Sequence, residues 1–115
     1  MTKSTTVLSL NPDGQTLLGY ESVLQENGYQ TITARSPLEA RFEIAMGRCG
    51  VFLASYITPA AIYRDLASLF RQNCPSGIVI FVAQNPNDRS AHADVNLAVQ
   101  DEPHTLIERL LSRQR

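Results

Sequence analysis

Short apolar runs alternate with stripes of helical period along this chain. Val7 to Leu10 is apolar with a β-branched start, and it ends at Asn11-Pro12-Asp13-Gly14, a strong turn signal. From Gln15 to Asn27 the apolar residues Leu17, Leu18, Tyr20, Val23 and Leu24 fall at helical spacing, and Gly28 closes the segment. Tyr29 to Ala34 is rich in β-forming residues. Ser36-Pro37-Leu38-Glu39 predicts a helix start, with Ser36 as cap, Pro37 at the first helical position and Glu39 three residues after the cap. Leu38, Phe42, Ala45 and Met46 then form one apolar face, and Gly47 stops the helix. Val51 to Ala54 is too short for a helix and reads as a strand buried on both faces. Ala60 to Gln72 carries Ile62, Leu66, Leu69 and Phe70 on one side, until Asn73-Cys74-Pro75-Ser76-Gly77 breaks it. Ile78 to Val82 is a second buried strand, and Gln84 to Ala93 is polar, holds Pro86 and shows no stripe. Leu97 to Val99 reads as a short strand, and Thr105 to Leu111 as a terminal amphipathic helix.

The resulting order, βαβαβαβ-loop-βα, predicts an α/β fold with right-handed crossovers, a parallel sheet and helices on both faces. In such sheets chemistry sits at the carboxyl ends of the strands. That directs attention to Asn11, Pro12 and Asp13, to Ser55, to Val82 and Ala83, and to Val99 and Gln100.

Composition narrows the function. With 115 residues, 43% hydrophobic and 18% charged, the chain has the make-up of one globular domain spanning residues 1–115. A formal net charge of -1 argues against a non-specific nucleic-acid binder, which needs a basic surface. No apolar run approaches the ~20 residues of a membrane helix. The first ten residues, with one lysine and a short apolar patch, do not resemble a signal peptide. The expectation is a soluble cytoplasmic domain.

Cys49 and Cys74 cannot build a disulfide framework or a four-ligand zinc site; they are expected as reduced, semi-buried thiols that flank buried strands. His92 and His104 lack acidic or cysteine companions at ligand spacing, so no metal site is expected. Arg109, Arg113 and Arg115 lie late in the last helix, where they complement its dipole. Tyr56 and Ile57, just after Ser55, form an aromatic-aliphatic pair that suits either packing against Pro59 or a protein interface.

The segment Ser36 to Pro59, SPLEARFEIAMGRCGVFLASYITP, resembles the receiver domains of two-component response regulators. It shows a capped helix, a small-residue turn, an apolar strand, a residue in the acceptor position and a proline four residues later. Val7 to Asp13 resembles the family's first strand and acidic loop, and Gly28-Tyr29 its step before the second strand. The likeness runs from Thr6 to Arg113. It implies a flavodoxin-like (CheY-like) three-layer sandwich with a five-stranded parallel sheet.

The resemblance also implies a phosphorylation site, and there this sequence departs from the pattern. In place of two magnesium-binding carboxylates it has Asn11 and Pro12, with Asp13 one position beyond as the only carboxylate expected nearby. In place of the acceptor aspartate it has Ser55, in place of the hydroxyl residue Val82, and in place of the lysine Val99 or Gln100. Magnesium wants carboxylates alongside its waters, and phosphoryl transfer relies on charge stabilisation. A serine nucleophile needs an adjacent base, and neither histidine is placed to serve Ser55. Sixteen residues separate Val82 from Val99, about two turns too few for the family's fourth helix, which is expected to be shortened or missing.

The sequence therefore reads as a non-enzymatic pseudo-receiver without cofactor. It is expected to act by binding a protein partner or itself, with no nucleic-acid or membrane role. Two alternatives remain: a phosphorylatable regulator with a non-standard acceptor, and a small-ligand-binding flavodoxin-like domain.

Overall fold

The computed structural model describes residues 6–113. Five strands form one parallel sheet: β1 (Thr6–Leu10), β2 (Gln30–Ala34), β3 (Val51–Ser55), β4 (Ile78–Ala83) and β5 (Val95–Ala98), in the order β2-β1-β3-β4-β5. Four helices are found among the described residues: α1 (Leu18–Glu26), α2 (Pro37–Met46), α3 (Ala60–Asn73) and α4 (His104–Arg113). The strand order reverses between β1 and β3, which places the crevice of the sheet above the ends of those two strands.

β1 and β3 are buried along their whole length, as their unbroken apolar runs predict. Strand alternation divides their side chains between two cores. Val7, Val51, Leu53, Ile80, Val82 and Leu97 pack with α1 and α4 on one face. Leu8, Leu10, Phe52, Ala54 and Val79 pack with α2 and α3 on the other. Cys49 is buried in the second core and Cys74 is half-buried against it; both are free thiols. No helix among the described residues is long and apolar enough to cross a membrane.

α2 starts where its local signals place it. Ser36 Oγ accepts from Glu39 N at 3.2 Å, and Gly47 ends the helix at φ 70°, a conformation that favours glycine. Its apolar face is a correction. Ala40 and Ile44 are the buried residues, whereas Leu38 (77% exposed), Phe42 (59%) and Met46 (52%) face outward with Ala45. α3 keeps the expected Leu66 and Phe70 in the core, with Leu69 partly buried against it, and departs from expectation at one position. Tyr63, Leu66, Ala67 and Phe70 are buried, and Ile62 is exposed. The cause is Tyr63, whose ring lies 4.8 Å from that of Phe81 and whose hydroxyl meets Ser90 Oγ at 2.8 Å.

Three boundaries also differ. α1 begins at Leu18 rather than Gln15, because the Asp13 carboxylate holds Gln15 N and Thr16 N in a preceding turn. β5 starts at Val95 and ends at Ala98, in register with Ile80 to Ala83. α4 extends one residue before and two beyond the expected span. Arg109 reaches out of α4 to donate to Asn96 O at 2.7 Å, and Arg115 lies outside the described residues.

Residues 84–94 contain no helix. Side-chain to main-chain bonds hold this connection over the sheet. Asn96 bonds both N and O of Ser90, Arg71 donates to His92 O, and Asp94 accepts from Val79 N.

Candidate functional site

The topology brings Asn11, Ser55 and Val82 to the carboxyl edge of three adjacent strands. Each is almost completely buried, at 1%, 0% and 0% exposure. Ser55 closes β3 in register with Val82. Its Oγ accepts from Ile57 N at 3.3 Å and its carbonyl from Thr58 N at 3.2 Å, so its polar groups serve the turn that leads to α3.

Asn11 is directed away from the mouth of the crevice. Its Nδ2 donates to Glu21 Oε2 at 3.2 Å, and its Oδ1 accepts from Leu17 N at 3.4 Å. Asp13 is exposed and turned forward onto Thr16, whose hydroxyl it also accepts. That side-chain bond, with the backbone bonds from Thr16 and Gln15, holds the Asp13 carboxyl below its usual pKa. Pro12 contributes a carbonyl, which accepts from Arg35 Nε at 3.4 Å. A guanidinium thus lies across the loop after β1.

A second carboxyl group, missed from the sequence, sits behind this loop. Glu21 of α1 is only 6% exposed, and Ser9, Asn11 and Thr33 all donate to it. The expectation that Asp13 is the only nearby carboxylate is corrected. The signal was present, because residues 17, 20, 21 and 24 share one helix face, and Ser9 and Thr33 are polar residues in β-strands.

Val99 and Gln100 lie in the turn after β5, where Val99 N bonds Ala83 O at 2.9 Å. Both are exposed, and neither offers a cation. Tyr56 is half-buried and Ile57 is 37% exposed. His92 lies edge-on to Tyr63, and His104 is exposed at the start of α4.

These donors do not fit magnesium. Asp13 is committed to Thr16, both oxygens of Glu21 accept hydrogen bonds, and Asn11, Pro12 and Ser55 offer no carboxylate. Among the described residues no group of three or more histidine, cysteine, aspartate or glutamate side chains is placed to hold a metal ion.

Beside this edge, between α3, β4 and residues 84–92, lies an open cavity of about 750 Å³. Thr58 belongs to its wall, is 4% exposed and has no hydrogen-bond partner for Oγ1 among the described residues. The lack of a helix after β4, noted from the length of that connection, leaves this space.

No protein-family model matches the sequence. No curated protein matches it either. Solved structures do. The response regulator TrrA from Thermotoga maritima, determined in complex with Mg²⁺-BeF, is 19% identical, with 98% of this chain and 99% of that chain covered and a TM-score of 0.79. The chemotaxis response regulator CheY4 of Vibrio cholerae is 17% identical over 95% of this chain and 98% of its own, also at 0.79. A CheY-like receiver domain from Methanospirillum hungatei is 18% identical over 96% of each chain, at 0.76. Strand order, parallel register, helices on both faces and full-length superposition agree: the chain has the fold of response-regulator receiver (CheY-like) domains.

Proposed function

We propose that this chain is a receiver-like signalling domain of the two-component type that takes no phosphoryl group and works by binding another protein or a second copy of itself. The observation that carries this reading is Ser55. It stands at the end of β3 with its hydroxyl accepting from Ile57 N, beside Asn11 and Pro12 rather than a pair of carboxylates. Arg35 adds positive charge on the loop where a receiver would seat its cation. With no carboxylate pair to seat a cation, and Val99 or Gln100 in place of the lysine, a transferring phosphoryl group lacks the metal and ammonium charge on which that chemistry relies.

The protein-binding half of the proposal rests on the outward stripe Leu38, Phe42 and Met46, with Ile57 as a smaller exposed apolar residue at the strand ends. A stripe of large apolar side chains on the solvent side of a helix is the surface a partner helix or groove covers. A signalling domain of this kind belongs in the cytoplasm, and its near-neutral charge gives it no basic footprint for nucleic acid.

The test is incubation with acetyl phosphate and magnesium, read by intact-mass spectrometry, together with a beryllium fluoride titration read by amide chemical shifts. No mass gain and no magnesium-dependent shift at residues 11–13 and 55 are expected. An acid-labile gain of one phosphoryl group would overturn the reading and favour a phosphorylatable regulator with a non-standard acceptor.

A further inference from the structure

The cavity between α3 and residues 84–92 shares Ala83 with the strand ends but is not lined by Asn11, Ser55 or Val82. Its volume, about 750 Å³, lies within the ordinary range of small-molecule sites. Its floor is aromatic: Tyr63 and Phe81 lie with ring centroids 4.8 Å apart, and His92 meets Tyr63 edge-on at 6.4 Å.

One end of the cavity is polar and electropositive. α3 is a 14-residue helix that begins there, and its first turn has neither a capping side chain nor an acidic residue. Uncapped N–H groups and the helix dipole favour an anion at that point. Thr58, immediately before Pro59, adds a buried hydroxyl without a partner among the described residues, which costs free energy until something bonds to it. Arg64 and Arg89 border the same space. Among the described residues Arg64 is engaged only by an exposed contact to Asp65 at 3.6 Å, a weak competitor for its charge. Asp88 brings one opposing carboxylate, whose Oδ2 accepts from Asn85.

We propose that this cavity binds a small organic anion with a flat apolar body, the body lying against Tyr63 and Phe81 and its carboxylate, sulfonate or phosphate group directed to the start of α3. Thr58 Oγ1 donates to the anionic group, and Arg64 and Arg89 supply counter-charge. The ligand occupies the space left by the helix missing after β4. This binding goes beyond the signalling role proposed above and does not depend on it, since no residue of the Asn11–Ser55 edge takes part.

The probe is anilinonaphthalene sulfonate, titrated into the full chain and followed residue by residue through amide chemical shifts. Its uncharged counterpart phenylnaphthylamine and inorganic sulfate serve as controls for body and charge. Saturable shifts are expected at Thr58, Ala60, Ala61 and Arg64, with weaker binding of both controls. Arg64→Ala and Arg89→Ala, both at exposed positions, are each expected to raise the dissociation constant on the order of tenfold, and Thr58→Val several-fold. Phe42→Ser should leave the constant unchanged. Shifts confined to Leu38, Phe42 and Met46, equal affinity for the uncharged counterpart, or an affinity untouched by both arginine substitutions would overturn the proposal. Phosphodonor results bear on the earlier reading alone, so the two fail separately.

Discussion

The hydroxyl of Ser9 in β1 donates to Glu21 Oε2 of α1 across 2.6 Å, with both residues buried. Asn11 and Thr33 complete a set of three neutral donors around one carboxyl group. This cluster joins α1 to β1 and β2 directly behind the loop that in receivers carries acids. Glu21→Ala should therefore leave three donors short of their acceptor and cost on the order of 3 kcal/mol. Ser9→Ala should cost about 1–2 kcal/mol. The double variant should be less destabilised than the sum, because the two residues share one interaction. Urea unfolding with unchanged slope checks this, and strict additivity would mean that the contact contributes nothing to stability.

An aspartate at the end of β3 is predicted to harm the fold before it helps chemistry. Ser55→Asp places a carboxylate at a fully buried position beside apolar Val82. With Asn11 and Pro12 retained no cation is recruited, and the substitution should cost on the order of 3–5 kcal/mol. Millimolar magnesium should not recover that loss. In the triple variant with Asn11→Asp and Pro12→Asp, magnesium should recover part of it. Thermal unfolding with and without the ion distinguishes these outcomes.

Much of the fold is legible in the chain, for identifiable reasons. VFLA at Val51 to Ala54 can only be a buried strand, and the Ser36-Pro37-Leu38-Glu39 cap starts α2 where the structure has it. Topology then fixes Asn11, Ser55 and Val82 at one edge without further information. What was not legible was the phase of α2 and one inward place of α3. α2 buries small Ala40 with Ile44 and leaves its larger residues outside, so size and hydropathy pointed to the wrong side. In α3 the amphipathic Tyr63 took the inward place because a ring and a hydroxyl found separate partners. Glu21 was passed over because a carboxyl group on an apolar face becomes acceptable only once its three donors, from β1, the loop after it and β2, are in place.

The outward stripe of α2 makes a stability prediction of its own. Phe42 is 59% exposed, so Phe42→Ser should change unfolding free energy by no more than about 0.5 kcal/mol. It should also reduce retention on a hydrophobic resin and any self-association seen by sedimentation. A loss of several kcal/mol would mean that Phe42 is covered in solution within the monomer.

Two glycines should respond to alanine for different reasons. A Cβ at half-buried Gly77 would lie 2.6 Å from Phe70 Cζ and 2.7 Å from Cε2, against a ring that belongs to the core beneath α3. Gly77→Ala should cost about 1–3 kcal/mol through overpacking, and Phe70→Leu should relieve part of it. Gly28 has open space around its Cβ position but a φ of 88°. Gly28→Ala should cost about 1 kcal/mol from backbone strain alone, with no rescue by any neighbouring substitution. Denaturation midpoints of Gly77→Ala, Phe70→Leu, their double variant and Gly28→Ala separate sterics from backbone.

Alkaline pH should loosen the fold chiefly through two buried groups, with Tyr63 pushed up by burial in the same direction. Burial, helped by Glu43, pushes the Cys49 thiol up to about 11 from 9.0, and burial with Asp101 pushes Tyr20 up to about 12 from 10.0. Tyr20 also donates to Ala98 O at 3.0 Å, a bond that its ionised form cannot make. In both cases the folded state keeps a proton that the unfolded chain releases. The stabilising contribution is therefore complete below pH 9, falls as pH rises between the unfolded and folded values, and is gone above about pH 12. Each group contributes a slope of up to about 1.4 kcal/mol per pH unit within its window. Urea midpoints should hold steady from pH 7 to near pH 9 and then decline. Cys49→Val should remove the first part of that decline and Tyr20→Phe much of the second, the rest belonging to Tyr63. A midpoint independent of pH from 9 to 11 in the unsubstituted chain would show that these protons are not held by the fold.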